Sequence, residues 1–332
     1  MVSAMIETRG LSRIFKTRGG DVQAVRSVDL QVAGGEIVGF LGPNGAGKTT
    51  TLRMLTTLLQ PTAGTATVAG SDVARDPVGV RRKVGYVAQG GMTYPEARAG
   101  EEIVDHARLY GVSRDVARRR AAVLFDQLDL PDLWSRPCKS LSGGQRRRLD
   151  IAMGLVHKPG LVFLDEPTSG LDPQSRANLW GHIRGLRDEL GTTVFLTTHY
   201  LEEADALCDR ILIIDHGEIV ARGTPDELKR HVSGDVIVLS LADAWESGTA
   251  AAIAAHVTGT EPTADGATIH LHVADGAGTL PPLLRALDID GIRAASVEVR
   301  RPSLDDVFLD LTGRSLRDQP MDTTGVEYAH SA

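Results

Sequence analysis

The 332-residue sequence predicts an α/β fold on a mostly parallel sheet, with a helical insertion and a small α+β domain following it. Three observations carry this prediction. A strand-like run at 37–41 and the continuous apolar runs held within 161–167 (LVFLDEP), 192–199 (TTVFLTTH) and 210–217 (RILIIDHG) match parallel strands buried on both faces. Helical segments such as 174–190 alternate with those runs, as in α/β architectures. The character then changes after about Lys229, where three strand-like stretches with two helical ones between them suggest a small α+β accessory domain.

The elements follow in order. The run at 37–41 enters GPNGAGKTT, and a helical pattern continues through Leu52, Leu55, Leu58 and Leu59. Proline and glycine in LQPTAG (59–64) end it, and TATVAG alternates as a short strand. Between Glu101 and Asp132, Ile103, Ala107, Val116, Val123, Leu124 and Leu128 recur at helical spacing, so about 95–155 reads as a helical insertion. This gives a first domain over 5–230. In 232–313, strand patterns near 236–241, 267–273 and 295–300 alternate with helical stretches near 245–255 and 280–287. Within RRPSLDDVFLDLTG (300–313), Leu304, Val307, Phe308 and Leu311 make the apolar face of an amphipathic helix that packs the accessory domain on the core. The polar, unpatterned stretch 314–332 reads as a loose tail.

Composition narrows the function classes. With 42% hydrophobic and 24% charged residues, the chain suits a globular protein and not a disordered one. A net charge of −7 and a pI near 5.8 argue against nucleic acid as a partner, since such domains carry a basic face. Arg114 and Arg118–Arg120 read as a solvated helix face. The two cysteines, Cys138 and Cys208, lie far apart and cannot complete a four-cysteine zinc site. Neither a secretory leader nor roughly 18 consecutive apolar residues occurs, so the sequence predicts a cytoplasmic protein whose membrane role comes through a partner.

The chemistry-bearing motifs begin with Gly42, Pro43, Asn44, Gly45, Ala46, Gly47, Lys48 and Thr49, which satisfy G-x-x-x-x-G-K-[ST]; Thr50 follows. The glycines let backbone N–H groups turn toward phosphate oxygens, and the next helix adds its positive end. Lys48 would reach the β- and γ-phosphates, and the Thr49 hydroxyl would hold Mg²⁺. The strand at 161–165 delivers Asp165 as a Mg²⁺ ligand and, beside it, Glu166 as a general base. Alone, such a carboxylate pair also suits a surface turn; the upstream phosphate loop favours a nucleotide site. In LSGGQRRR (141–148), Ser142, Gly143, Gly144 and Gln145 open a helical run and present donors at its positive end. Ser-Gly-Gly is also an ordinary helix start.

LSGGQ resembles the signature motif of the ABC ATPases, and the family's other motifs follow in order. Gln89 in VGYVAQ resembles the glutamine that touches metal and attacking water. Ser169–Asp172 (SGLD) resembles the D-loop, and His199 the switch histidine at the γ-phosphate. Phe15 sits where the family stacks an aromatic ring on adenine, although a core position in an early strand accounts for it too. The resemblance covers about 5–230. It implies a RecA-like P-loop NTPase core using ATP and Mg²⁺, with metal contacts from Thr49, Gln89 and Asp165. It also implies two domains facing head to tail, as a homodimer or with a paralogue, each ATP held between residues 42–49 of one and 142–145 of the other.

DNA-repair and translation-factor members carry two nucleotide domains per chain, and this chain has one motif set. Residues 300–313 and TTHYLEEAD (197–205) resemble daunorubicin/doxorubicin-resistance exporter subunits, which implies a drug-like or lipid-like cargo, a separate integral-membrane permease, and a place for this chain on the inner face of the cell membrane through that partner. Importer ATPases and soluble ABC-type ATPases remain the alternatives. One departure concerns 90–104, where Arg98-Ala99-Gly100 replaces the family's usual Leu-Thr pair in the region that docks on the membrane partner.

Overall fold

The computed structural model describes residues 4–231 and 234–313, so the expected tail at 314–332 lies outside the described residues. The chain divides into two compact units, one ending at Arg222 and the other beginning at Gly223.

The first unit opens with β1 (Ala4–Thr17), β2 (Gly20–Val28) and β3 (Gln31–Ala33), the last two antiparallel to β1. β4 (Ile37–Leu41) is buried at every position, and α1 (Lys48–Leu55) leaves the loop that follows it. β5 (Ala63–Val68) and β6 (Ser71–Asp72) complete an antiparallel sheet in the order β2-β1-β5-β6. Helix α1 stops short of Leu58 and Leu59, which the periodicity includes. The Thr56 hydroxyl turns back to the Leu52 carbonyl at 2.9 Å, and Thr57 takes φ 64°, so the chain leaves the helix and Leu58 is 57% exposed.

α2 (Pro77–Lys83), capped by Asp76, leads into β7 (Val84–Val87) and the helical insertion. The insertion contains α3 (Ala99–Leu109), α4 (Arg114–Gln127) and α5 (Gly143–Leu155). The single pattern expected over 101–132 is two helices, because Gly111 turns the chain at φ 77°. Ala117, Ala121, Leu124 and Phe125 face the interior of α4, whereas Val123, given a core position by periodicity, is 56% exposed.

The unusual segment 98–100 has a packing cause. A Cβ on Gly100 would stand 2.3 Å from the Trp134 ring, so the first turn of α3 lies directly on the indole. Gly100→Ala is expected to displace Trp134 at a cost of about 1–3 kcal/mol, as overpacking usually does. Chemical denaturation measures this, and an unchanged midpoint would mean that Trp134 moves aside freely.

β8 (Leu161–Asp165), α6 (Pro173–Asp188), β9 (Thr193–Thr198), α7 (Leu201–Leu207), β10 (Arg210–Asp215) and β11 (Glu218–Gly223) complete the unit. The second sheet runs β11-β10-β4-β9-β8-β7, with β10, β4, β9, β8 and β7 mutually parallel. Parallel strands end on one edge, and loops beyond their carboxyl ends form the natural ligand crevice. Phe40, Phe163 and Phe195, one each from β4, β8 and β9, are fully buried with ring centroids 5.6 and 5.7 Å apart. They hold the three strands whose ends carry the site.

The second unit contains α8 (Pro225–His231), β12 (Asp235–Leu241), α9 (Ser247–Thr258), β13 (Thr263–Asp265), β14 (Thr268–Val273), α10 (Gly276–Ile289), β15 (Ala294–Arg300) and α11 (Leu304–Thr312). Its antiparallel sheet, β13-β14-β12-β15, packs Ile237, Leu239, Ile269 and Leu271 against Ala250, Ala254, Leu283 and Leu287. The division falls before α8, which the sequence reading assigns to the first domain and which here packs with α11. Leu304, Val307 and Phe308 are buried as expected, but Leu309 is the fourth buried apolar position and Leu311 is 42% exposed. The helix is capped by reciprocal Ser303–Asp306 hydrogen bonds, and Asp306 is also paired with Arg300 at 2.8 Å.

Candidate nucleotide-binding site

The loop between β4 and α1 is shaped by close backbone approach. A Cβ on Gly42 would lie 2.2 Å from the Ile214 carbonyl oxygen, and one on Gly47 would lie 2.5 Å from that of Ala24. Gly47, the N-cap of α1, also takes φ 105°, a region open chiefly to glycine. Lys48 is 4% exposed, and its Nζ donates to the Gly42 carbonyl (2.7 Å) and the Pro43 carbonyl (3.0 Å). The ammonium therefore spans the loop that would cradle phosphates. Burial lowers the Lys48 pKa, an effect opposed by the nearby Glu166 and Asp165 carboxylates.

The acidic half sits at the ends of β8 and β9. Asp165 Oδ1 accepts from Thr49 Oγ1 (3.1 Å) and Thr197 Oγ1 (2.6 Å), while Thr197 Oγ1 also accepts from the Glu166 N–H (3.0 Å). Thr49, Asp165 and Thr197 thus group hard oxygen atoms, the donor type that suits Mg²⁺. Glu166 is a non-glycine residue at φ 44°, a strained conformation of the kind that concentrates at functional sites. That turn places its carboxylate among three groups. Gln89 Nε2 donates to Oε2 at 2.9 Å, Lys48 Nζ stands 3.5 Å from Oε1, and His199 Nδ1 stands 3.3 Å from the same oxygen. Burial pushes the Glu166 pKa up, but His199 and Lys48 outweigh it and hold the carboxyl below its usual range.

The structure therefore brings Lys48, Thr49, Gln89, Asp165, Glu166 and His199 together. Ser142, Gly143, Gly144 and Gln145 form a separate element, the N-terminus of α5. Ser142 Oγ accepts from the Gln145 N–H (3.2 Å) and Gln145 Oε1 accepts from the Ser142 N–H (3.0 Å), a reciprocal cap. Locally the motif is an N-cap, with Ser142 and Gly143 exposed at the start of the helix. Phe15 stands on β1, half-buried, with the Arg13 guanidinium 4.6 Å above its ring centre. An adenine stacking on that face would displace Arg13.

Sequence reasoning missed Thr197 and Arg147. Thr197 was readable in principle, as the first polar residue after the apolar run at 194–196 of β9. Arg147, 7% exposed, donates to the Ala88, Asp165 and Pro167 carbonyls, and no spacing rule separates it from Arg146 and Arg148.

Residues 25–169 match the family model described as ABC transporter, and 223–312 match that of the ATP-binding protein DrrA1-3-like C-terminal domain. The daunorubicin resistance ATP-binding protein DrrA3 of Streptomyces coeruleorubidus is 44% identical, over 90% of this chain and 94% of that protein. The daunorubicin/doxorubicin resistance ATP-binding protein DrrA of Streptomyces peucetius is 43% identical, over 97% and 96%. A dimeric post-hydrolysis structure of the ATP-binding cassette MJ0796, bound to ADP and Pi, aligns at TM-score 0.61 and 26% identity, covering 66% of this chain and 98% of that one. The chain belongs to the ABC transporter ATP-binding proteins, as an ATPase of the daunorubicin/doxorubicin-resistance exporter group.

Proposed function

We propose that this chain is the motor of a two-component exporter, hydrolysing ATP against a second cassette to drive a separate integral-membrane permease from the cytoplasmic face. The observation that carries the reading is the convergence of Lys48, Gln89 and His199 on one buried carboxylate, Glu166, beside the hydroxyl-bound Asp165. In the proposed reaction the backbone N–H groups of residues 42–50 cradle the phosphates, and Lys48 turns from Glu166 to the β- and γ-oxygens. Glu166, released from that ion pair, takes a proton from water as the water oxygen attacks the γ-phosphorus. The bond from that phosphorus to the β–γ bridging oxygen breaks, leaving ADP and inorganic phosphate. Gln89 and His199 orient the water and the γ-phosphate. Thr49, Asp165 and Gln89 supply oxygen donors for Mg²⁺, which offsets charge on the phosphate oxygens. Phe15 faces the base, and Ser142, Gly143, Gly144 and Gln145 close the site of the opposing cassette, a second copy or a paralogue. The DrrA-like relatives support a drug-like or lipid-like cargo, apolar or amphipathic. No helix among the described residues is long and apolar enough to cross a membrane, so the reading requires a membrane partner.

Glu101, exposed on α3, lies in the proposed docking region; Glu102 does not suit a charge-reversal test, because its Oε1 accepts from the Tyr94 N–H at 3.0 Å. Glu101→Lys, co-expressed with its proposed integral-membrane partner, is expected to retain ATPase activity while efflux of an amphipathic compound from cells falls. Failure of any membrane protein to co-purify, together with unchanged efflux on deleting the gene, would refute the exporter reading.

A further inference from the structure

Helix α5 reaches into the hydrolysis site from below through two side chains one turn apart. Arg147 bonds the Ala88 carbonyl at 2.6 Å, the Asp165 carbonyl at 2.8 Å and the Pro167 carbonyl at 2.8 Å. Ala88 immediately precedes Gln89, while Asp165 and Pro167 flank Glu166. Asp150, 2% exposed, accepts from the Met92 N–H at 2.9 Å, beyond Gln89 on the other side. Gly91 permits this approach: it takes φ 81°, and a Cβ there would already stand 3.2 Å from the Asp150 carboxylate. One helix face therefore grips the chain before and after Gln89 and on both sides of Glu166, and those two side chains are themselves joined at 2.9 Å. The N-terminus of the same helix, about one turn before Arg147, is the Ser142–Gln145 cap.

A rigid guanidinium fork suits such a task, because its N–H groups hold fixed mutual angles and can bind acceptors from separate loops at once. Helix α5 holds eight buried residues, among them Arg147 and Asp150, and so moves as a packed body.

We propose that Arg147, supported by Asp150, is a positioning residue that couples the two nucleotide sites of the dimer. This rests on the reading above, in which Ser142–Gln145 engage the nucleotide held by the opposing cassette. Engagement at the cap shifts α5, and Arg147 carries the shift to Gln89 and Glu166, which act on the nucleotide bound by their own chain. A merely structural Arg147 would satisfy strand-end carbonyls and contribute only stability.

The test uses the full-length protein with its membrane partner, comparing Arg147→Met, Arg147→Lys and Asp150→Asn. Losing charge-assisted hydrogen bonds worth about 1.5–3 kcal/mol predicts a kcat about 10- to 150-fold lower in Arg147→Met. The Hill coefficient for ATP should fall from about 2 to about 1, since two linked sites set its ceiling. Affinity for a non-hydrolysable ATP analogue at the monomer should stay within about threefold, because no proposed phosphate contact is removed. Arg147→Lys keeps the charge but not the fork and should recover part of kcat, and Asp150→Asn, which keeps an acceptor for Met92, should be milder still. Unchanged kcat and cooperativity in a folded Arg147→Met overturn the proposal. So does a parallel fall in kcat, analogue affinity and melting temperature, the mark of a structural role. If Arg147→Met does not fold, Arg147→Lys decides: retained cooperativity overturns the coupling, and its loss supports it. Glu166→Gln assayed beside these variants separates the failures, since normal turnover there sinks the hydrolysis reading itself.

Discussion

Glu166→Gln is expected to bind Mg·ATP and hydrolyse it about 10²–10⁴-fold more slowly, the usual worth of a general base. The amide is isosteric, so it retains the φ 44° turn and keeps an oxygen facing Lys48 and His199 at the positions now 3.5 and 3.3 Å away. What it loses is the capacity to take a proton from water. Removing a buried negative charge should also ease the approach of the triphosphate, so nucleotide affinity should hold or rise. With hydrolysis blocked, the closed pair of cassettes should outlive chromatography, giving an ATP-dependent dimer peak that ADP does not produce. Single-turnover ATPase measurements and size exclusion check both halves. Turnover within a few-fold of wild type would remove Glu166 from the mechanism and leave His199 or Gln89 to activate the water.

Much of this was legible because the relevant elements are extreme cases of simple rules. Strands β4, β8 and β9 are buried along their whole length, so each carries an apolar run that leads up to the site. The phosphate loop could be read because Gly42 and Gly47 answer steric demands that few other residues meet. Legibility failed where a decision depended on distant packing. Thr57 leaves α1 through a left-handed turn despite an apolar continuation, and Leu309 displaces Leu311 on α11 by a small rotation that periodicity does not resolve. In Arg146-Arg147-Arg148 the three residues are chemically equal; only the fold turns Arg147 inward, toward carbonyls from two other loops. The division at Gly223 is hard to read for a related reason, since α8 has a polar sequence and its affiliation rests on its contact with α11.

Lys48→Ala should give the opposite pattern to Glu166→Gln, with binding itself lost. In the proposed complex the ammonium exchanges the Gly42 and Pro43 carbonyls, now at 2.7 and 3.0 Å, for β- and γ-phosphate oxygens. Its site is buried, where charge-assisted hydrogen bonds are strong and water cannot replace the missing donor. Losing about 1.5–3 kcal/mol weakens ATP affinity on the order of 10- to 150-fold. A second consequence follows from the ion pair. Lys48 is one of the groups that hold the Glu166 carboxyl below its usual range against burial, so the alanine variant should raise the Glu166 pKa. The acidic limb of kcat/KM, which reports the free enzyme, should then lie at a higher pH than in wild type, because Glu166 must be ionised to act as base. Ser142→Ala is the control: it removes an N-cap worth about 1 kcal/mol to α5 but no proposed phosphate contact of its own chain, so monomer binding should survive while dimer closure and turnover fail. Equal loss of nucleotide binding in Ser142→Ala and Lys48→Ala, measured by titration calorimetry on folded protein, would contradict a site shared between two chains.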